Sequence, residues 1–195
     1  MTLADPDKVD LTNLQRQILY RTDSVGTQKV EAARTALNAL NPEVEVVALQ
    51  KKLLQKDFPE LVAAADVVLD CSDNFATRHA LNRACVKAKK PLVSGAAIRF
   101  DAQVAVFDLR KPDAPCYACL FPEDGAIEEV QCSTMGVFAP LTGVVGALQA
   151  MEASKLLTTA GETLNGRLLL LDAKRSEWRT VRVKKDLACA ICSGT

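Results

Sequence analysis

The sequence predicts an α/β fold, a sheet wrapped by helices, and three observations carry that prediction. Short apolar runs alternate with longer segments of helical periodicity, the pattern of β and α elements in turn. The run Asp66–Cys71 (DVVLDC) has a continuous apolar centre, Val67-Val68-Leu69, as a strand covered on both faces would. Two Cys-x-x-Cys pairs, Cys116 with Cys119 and Cys189 with Cys192, leave 69 residues (120–188) between them. A self-contained zinc ribbon spaces its pairs by only about 15–20 residues. Four thiolates complete a closed tetrahedral zinc site, so one ion bound by both pairs would staple a larger domain.

Met1–Ala4 reads as the end of a strand, and Thr12–Tyr20 as a helical turn. Thr27–Leu40 is an amphipathic helix with Val30, Ala33, Ala36, Leu37 and Leu40 on one face, ended by Asn41-Pro42. Val44–Leu49 is β-rich and Asp57–Ala65 helical. After the strand Asp66–Cys71, Asp73 stands where an N-cap is expected for a helix running to about Lys89. Pro91–Ala96 and Gln103–Asp108 follow as strands, then the first cysteine pair. The most apolar stretch, Met135–Leu157, contains Pro140, Gln149, Glu152 and Lys155, which marks a buried core helix rather than a membrane span. Leu168–Asp172 and Trp178–Val183 close the series, their short connection implying antiparallel pairing.

Lys and Arg number 24, as do Asp and Glu, so there is no general electrostatic pull toward nucleic acid or anionic membranes. Hydrophobic residues at 49% and charged residues at 25% are an ordinary globular mixture, and 195 residues suffice for one sizeable core. Seven cysteines, no secretory apolar region and early acids at Asp5 and Asp7 fit a reducing cytoplasm.

Ligands of open α/β sheets bind beyond the carboxyl ends of the strands. Asp5 falls at such a position, suited to a ribose, and so does Asp73 in Asp70-Cys71-Ser72-Asp73-Asn74, suited to Mg²⁺ on nucleotide phosphates. Asp70 is read as orienting neighbouring backbone. Arg16, and Lys29 at a helix start, are candidates for phosphate, against the common fate of Lys and Arg as solvated surface charge. A zinc nucleobase deaminase would use Pro115-Cys116-x-x-Cys119, but it needs His-x-Glu. The single histidine, His79, is followed by Ala80-Leu81, and the reading fails; His79 is expected on a helix surface. A thioredoxin-like redox protein would account for one cysteine pair but not two. Cys71 and Cys85 are expected as small core residues.

Taken together, Asp5-Pro6-Asp7-Lys8-Val9-Asp10-Leu11-Thr12-Asn13-Leu14-Gln15-Arg16-Gln17, Val25-Gly26-x-x-Lys29-Val30, Leu69–Asn74, Ser94-Gly95-Ala96-Ala97, Gly136–Gly146 and both cysteine pairs resemble the MoeB/ThiF/HesA family, bacterial relatives of ubiquitin-activating enzymes. The resemblance spans essentially the whole chain. It implies a Rossmann-like mixed sheet flanked by helices, a single ThiF-type adenylyltransferase domain over 1–195, and a structural zinc site at the four cysteines. It implies MgATP-dependent adenylation of the C-terminal glycine of a small ubiquitin-like sulfur-carrier protein, in molybdopterin or thiamine biosynthesis, by a homodimer. Asp5 would bind the ribose. Asn13, Arg16 and Lys29 would address the phosphates, with Thr12, Leu14 and Gln15 completing the ATP segment. Asp73 would hold Mg²⁺ with Asn74 beside it. Cys132 would be the thiol that accepts the activated carboxyl or sulfur, weighed equally against an ordinary unpaired cysteine.

The family's nucleotide site begins with a strand and a Gly-x-Gly-x-x-Gly loop, and none of the nine glycines here has that spacing. The chain is therefore expected to be N-terminally incomplete, without its first strand and glycine-rich loop. Alone it should adenylate poorly and expose an apolar sheet edge. The alternative is a non-catalytic, zinc-stapled module that binds a ubiquitin-like carrier, with Ser94–Ala97 flooring a channel for a Gly-Gly tail. Those small residues otherwise mark close strand–helix packing.

Overall fold

A computed structural model describes residues 1–123 and 135–194. The chain divides into two compact units, Met1–Leu54 and the residues from Gln55 onward.

In the first unit, β1 (Thr2–Ala4) pairs in parallel with β2 (Val47–Leu49), and α1 (Lys29–Leu40) connects them. A 3-10 turn at Leu11–Asn13 replaces the helical turn expected over 12–20. Helix α1 starts two residues later than expected. Gln28 is extended and bridges Lys8, and the Thr27 carbonyl accepts a 2.8 Å bond from the Val9 amide, so both residues are engaged outside the helix. Val30 and Ala33 are buried as the periodicity requires, but Leu40, at 79% exposure, does not belong to the buried face.

The second unit is built on a five-stranded mixed sheet in the order β3 (Val68–Asp70), β4 (Leu92–Ile98), β5 (Asp101–Phe107), β6 (Arg167–Asp172), β7 (Glu177–Arg182). The β3–β4 pair is parallel and the remaining pairs are antiparallel, as the short connections implied. Strand β3 is shorter than the apolar run suggested. It lies at an edge of this sheet and leaves Leu69 40% exposed, so it is not covered on both faces.

Three further helices matter to the site. Helix α2 (Phe58–Ala64) packs on α3 (Phe75–Ala88), and the short α4 (Tyr117–Leu120) starts directly after Cys116 and carries Cys119. The apolar stretch forms α5 (Ala139–Thr158), with Pro140 in the first turn, where a missing amide hydrogen costs nothing. Helix α5 covers one sheet face, where Leu141, Val145 and Leu156 pack on Val93, Val104, Val106 and Leu171. Phe107 of β5 points to the other face and meets Tyr117 edge-on at 5.9 Å. Among the described residues no helix is long and apolar enough to cross a membrane.

Gly95 shows why strand and helix approach so closely. A Cβ there would stand 2.4 Å from Gln149 Cδ and 2.8 Å from Val145 Cγ1. Its face of β4 is filled by α5, so at Gly95 the small residues serve close packing rather than a channel.

Candidate active site and metal centre

In the first unit the structure brings Asp5, Asp7 and Lys29 together. Asp5 follows β1 and its Oδ1 accepts from the Asp7 amide at 2.8 Å. Lys29 is buried, and its ammonium lies 3.0 Å from Asp7 Oδ2 and 3.8 Å from Asp5 Oδ2. It is therefore not a solvated surface charge. A buried ammonium needs paired anions, and Asp7, which sequence reasoning left without a role, is the nearer of the two.

The segment after Asp10 is tied to itself. Asp10 Oδ1 accepts from the Thr12 amide and hydroxyl at 2.8 and 2.6 Å, and Asn13 Oδ1 accepts from the Asp10 amide at 3.2 Å. The Thr12 bonds, with a smaller contribution from Lys29, hold the Asp10 carboxyl below the usual carboxylate range. Arg16 Nη1 donates to the Thr12 carbonyl at 3.3 Å. Leu14 is half-buried and Gln15 exposed on the same segment.

In the second unit, the turn between β3 and α3 departs from expectation in an informative way. The cap of α3 is Asn74, whose Oδ1 accepts from the Thr77 amide at 2.8 Å. Asp73 is not the cap. It is exposed one residue earlier, and the Asn74 side-chain amide is 3.4 Å from its Oδ1. An acidic group beside a helix start that is not consumed in capping it is available to a ligand. The turn is rigidly backed by Asp70, 2% exposed. Asp70 Oδ1 accepts from the Ser72 amide and hydroxyl at 3.0 and 2.7 Å, and its Oδ2 accepts from the Ser94 hydroxyl at 2.9 Å. Arg78 donates to the Ser72 carbonyl at 2.6 Å and lies 3.8 Å from Asp70 Oδ2. Gln149, 3% exposed on α5, donates to the carbonyls of Asp70 and Val93 at 2.8 and 3.3 Å. Asp70 thus orients backbone as expected, whereas Arg78 and Gln149 were missed. The only signal for Gln149 was a polar residue within an apolar helix.

The six described cysteines sort into three kinds. Cys85 is fully buried, and burial followed by the charge of Asp70 pushes its thiol up to about 12, an inert core group. Cys71 is exposed at the end of β3 and is not a core residue. Cys132 falls in 124–134, outside the described residues. His79 is also not the surface residue expected. Its ring stacks on Phe75 at 6.0 Å and meets Tyr117 edge-on at 5.4 Å.

Cys116, Cys119, Cys189 and Cys192 converge, with all four Sγ atoms within 4.8 Å of one another. The S···S separations are 3.8 Å for Cys116–Cys189, 3.9 Å for Cys116–Cys119 and 3.5 Å for Cys119–Cys192. A disulfide would need about 2.05 Å. A tetrahedron with metal–sulfur bonds of about 2.3 Å has edges of about 3.8 Å. The donor set therefore fits one tetrahedral thiophilic ion. Burial pushes the Cys116 thiol up to about 11, so a thiolate there needs a compensating cation. Val86, Ala118 and Ile191 wrap the cluster, and all four tetrahedral positions are taken by protein.

The ThiF family pattern matches residues 1–191. The chain belongs to the ThiF family. This ThiF-family chain is 43% identical over its whole length to the sulfur carrier protein ThiS adenylyltransferase of Escherichia coli, and spans 76% of that protein. It is 43% identical over 98% of its length to the molybdopterin-synthase adenylyltransferase of the same organism, again spanning 76%. The SAMP-activating enzyme E1 of Haloferax volcanii is 42% identical over 98% of the chain and is covered to 70%. Among solved structures, E. coli MccB with ATP superposes with a TM-score of 0.84 at 24% identity, over 98% of this chain. The chain spans 58% of that one, and the likeness bears on the fold alone.

Proposed function

We propose that this protein adenylates the C-terminal glycine of a small ubiquitin-like sulfur-carrier protein of the molybdopterin or thiamine pathway, at the expense of ATP. The observation that carries the reading is the state of Asp73. In a chain 43% identical to two adenylyltransferases, it is an exposed carboxylate in the turn that follows β3, relieved of capping by Asn74 and backed by a buried Asp70–Arg78–Ser94 network.

In the proposed reaction an oxygen of the carrier's terminal carboxylate forms a bond to the α-phosphorus, and the bond from that phosphorus to the bridging oxygen of the β-phosphate breaks. Acyl-adenylate and pyrophosphate result, with no net proton to place. Such a displacement asks the protein chiefly for positioning and for positive charge near the phosphates. Asp5 is assigned to the ribose. Asn13, Arg16 and Lys29 are assigned to phosphate, with Thr12, Leu14 and Gln15 lining the same segment. Lys29 would exchange part of its pairing with Asp7 and Asp5 for phosphate. Mg²⁺, held by Asp73 with Asn74 beside it, would offset phosphate charge. The four cysteines would hold Zn²⁺ as a structural ion, and Cys132 is the thiol assigned to a later transfer. The family match over 1–191 supports treating both units as one functional domain. We assign it to the reducing cytoplasm, as a homodimer.

The test is ATP–pyrophosphate exchange with purified protein and a Gly-Gly-tailed carrier from each pathway. Carrier-dependent exchange supports the assignment. Carrier binding without exchange would favour the non-catalytic module instead.

A further inference from the structure

Asn82 has no exposed surface, yet it is a primary amide in the middle of α3. Such a group survives burial only when its donors and acceptor are matched. Its Oδ1 accepts from the Tyr117 backbone amide at 2.9 Å. Because that partner is a donor, it fixes the orientation of the side-chain amide. Nδ2 is then the atom facing Cys116, 3.6 Å from Sγ. The sulfur therefore accepts a hydrogen bond from a residue that is not itself a candidate ligand. Two backbone amides do the same for Cys119 Sγ, those of Asp186 at 3.4 Å and of Cys116 at 3.5 Å. A tetrathiolate holding a divalent ion carries about −2, and N–H donors to its sulfurs spread that charge.

Asn82 also belongs to a row. Arg78, Asn82 and Val86 recur at intervals of four along α3 and so share one face, and the cap Asn74 stands four positions before the first of them. Val86 packs on the cysteine cluster, and Asn82 donates to it. Arg78 donates to the Ser72 carbonyl, and Asn74 caps the helix beside Asp73. At a rise of about 1.5 Å per residue, the row carries about 12 Å from the cap to Asn82.

We propose that Asn82 is a positioning residue of the metal centre, an outer-sphere donor to the Cys116 thiolate that ties the metal-filled cluster to helix α3 and thereby steadies the Ser72–Asn74 turn at the other end of that helix. The inference rests on reading the four cysteines as a metal centre, and not on the adenylation chemistry.

The experiment uses the full chain loaded with cadmium-113. A proton-to-cadmium correlation spectrum should show scalar coupling from the metal to an Asn82 side-chain amide proton, beside couplings from the Asp186 and Cys116 backbone amides as internal standards. Asn82→Leu should lower affinity for Zn²⁺ by about 10–100-fold, and both this variant and metal removal should speed amide exchange at Thr77 and Ser72. A cadmium-loaded protein that shows the two backbone couplings but none from Asn82 overturns the proposal while leaving the metal centre intact. So does an Asn82→Leu chain whose affinity stays within about twofold of the parent. A chain that binds no cadmium through its four thiolates overturns both. The coupling is read on the unaltered protein, so failure of Asn82→Leu to fold leaves the decisive measurement in place.

Discussion

Gly95→Ala tests the packing that holds the β3–α3 turn. The new methyl would lie 2.4 Å from Gln149 Cδ, 2.5 Å from Gln149 Oε1 and 2.8 Å from Val145 Cγ1. Contacts this short cannot stand, and the side chain that must yield is not a flexible surface group. Gln149 is 3% exposed and bonds two carbonyls, of Asp70 and Val93. Overpacking of a filled core costs about 1–3 kcal/mol. Turning the amide away also removes a hydrogen bond of about 1 kcal/mol net, and more if a carbonyl is left bare. The expected loss is about 3 kcal/mol, or a fall in Tm of about 6–12 °C for a chain of this length. Urea unfolding followed by far-UV circular dichroism measures it. The double variant with Gln149→Ala should recover about 1 kcal/mol or more relative to additivity, because the obstructing amide is gone. A single-variant loss below about 1 kcal/mol, or strict additivity in the double variant, would refute the packing argument.

Other expectations concern the metal, the nucleotide turn and pH. Cys192→Ser should remove most bound zinc, as read by elemental analysis, and destabilise the second unit; full zinc content in that variant would mean the cluster is misassigned. Asp73→Ala touches an exposed residue, so its stability should stay within about 0.5 kcal/mol of the parent. Its carrier-dependent pyrophosphate exchange should fall at least about 100-fold; near-normal exchange would move Mg²⁺ to another carboxylate. His79 is depressed below its ordinary pKa, first by burial, then by Arg83 and Arg78 against the opposing pull of Glu123. The unfolded chain therefore takes up its proton first, and stability should fall as pH drops below about 6.5, while above that pH His79 contributes no slope. His79→Gln should flatten that part of a stability–pH curve, and an unchanged slope would show that other groups produce it.

The alternation of elements was legible because local patterns suffice for it. Val30 and Ala33 had to face inward once α1 formed, and the short link between β6 and β7 dictated their pairing. The convergence of Cys116, Cys119, Cys189 and Cys192 was legible because four cysteines in two pairs have few other uses. What the sequence concealed were polar residues whose roles depend on distant partners. Asn82 is unremarkable in a helical stretch until Tyr117 and Cys116 meet it. Gln149 and Glu152 look like interruptions of an apolar helix, yet Glu152 accepts from the Leu164 amide at 2.7 Å and pairs with Lys155. The cap was misplaced by one residue because Asp and Asn are equally good N-caps. Local propensity cannot choose between Asp73 and Asn74, and only the Thr77 bond decides it.

The two cysteine pairs lie 73 positions apart, ligand for ligand, for Cys116 with Cys189 and for Cys119 with Cys192. An unfolded chain offers a metal ion two thiolates at a time. Four are presented together only when β6 and β7 have been laid down between them. Tight binding is therefore a property of the assembled structure rather than of any peptide within it. Loss of the ion to a competing chelator should then run on the clock of cooperative opening, so the rate of metal escape reports how often this half of the molecule comes apart.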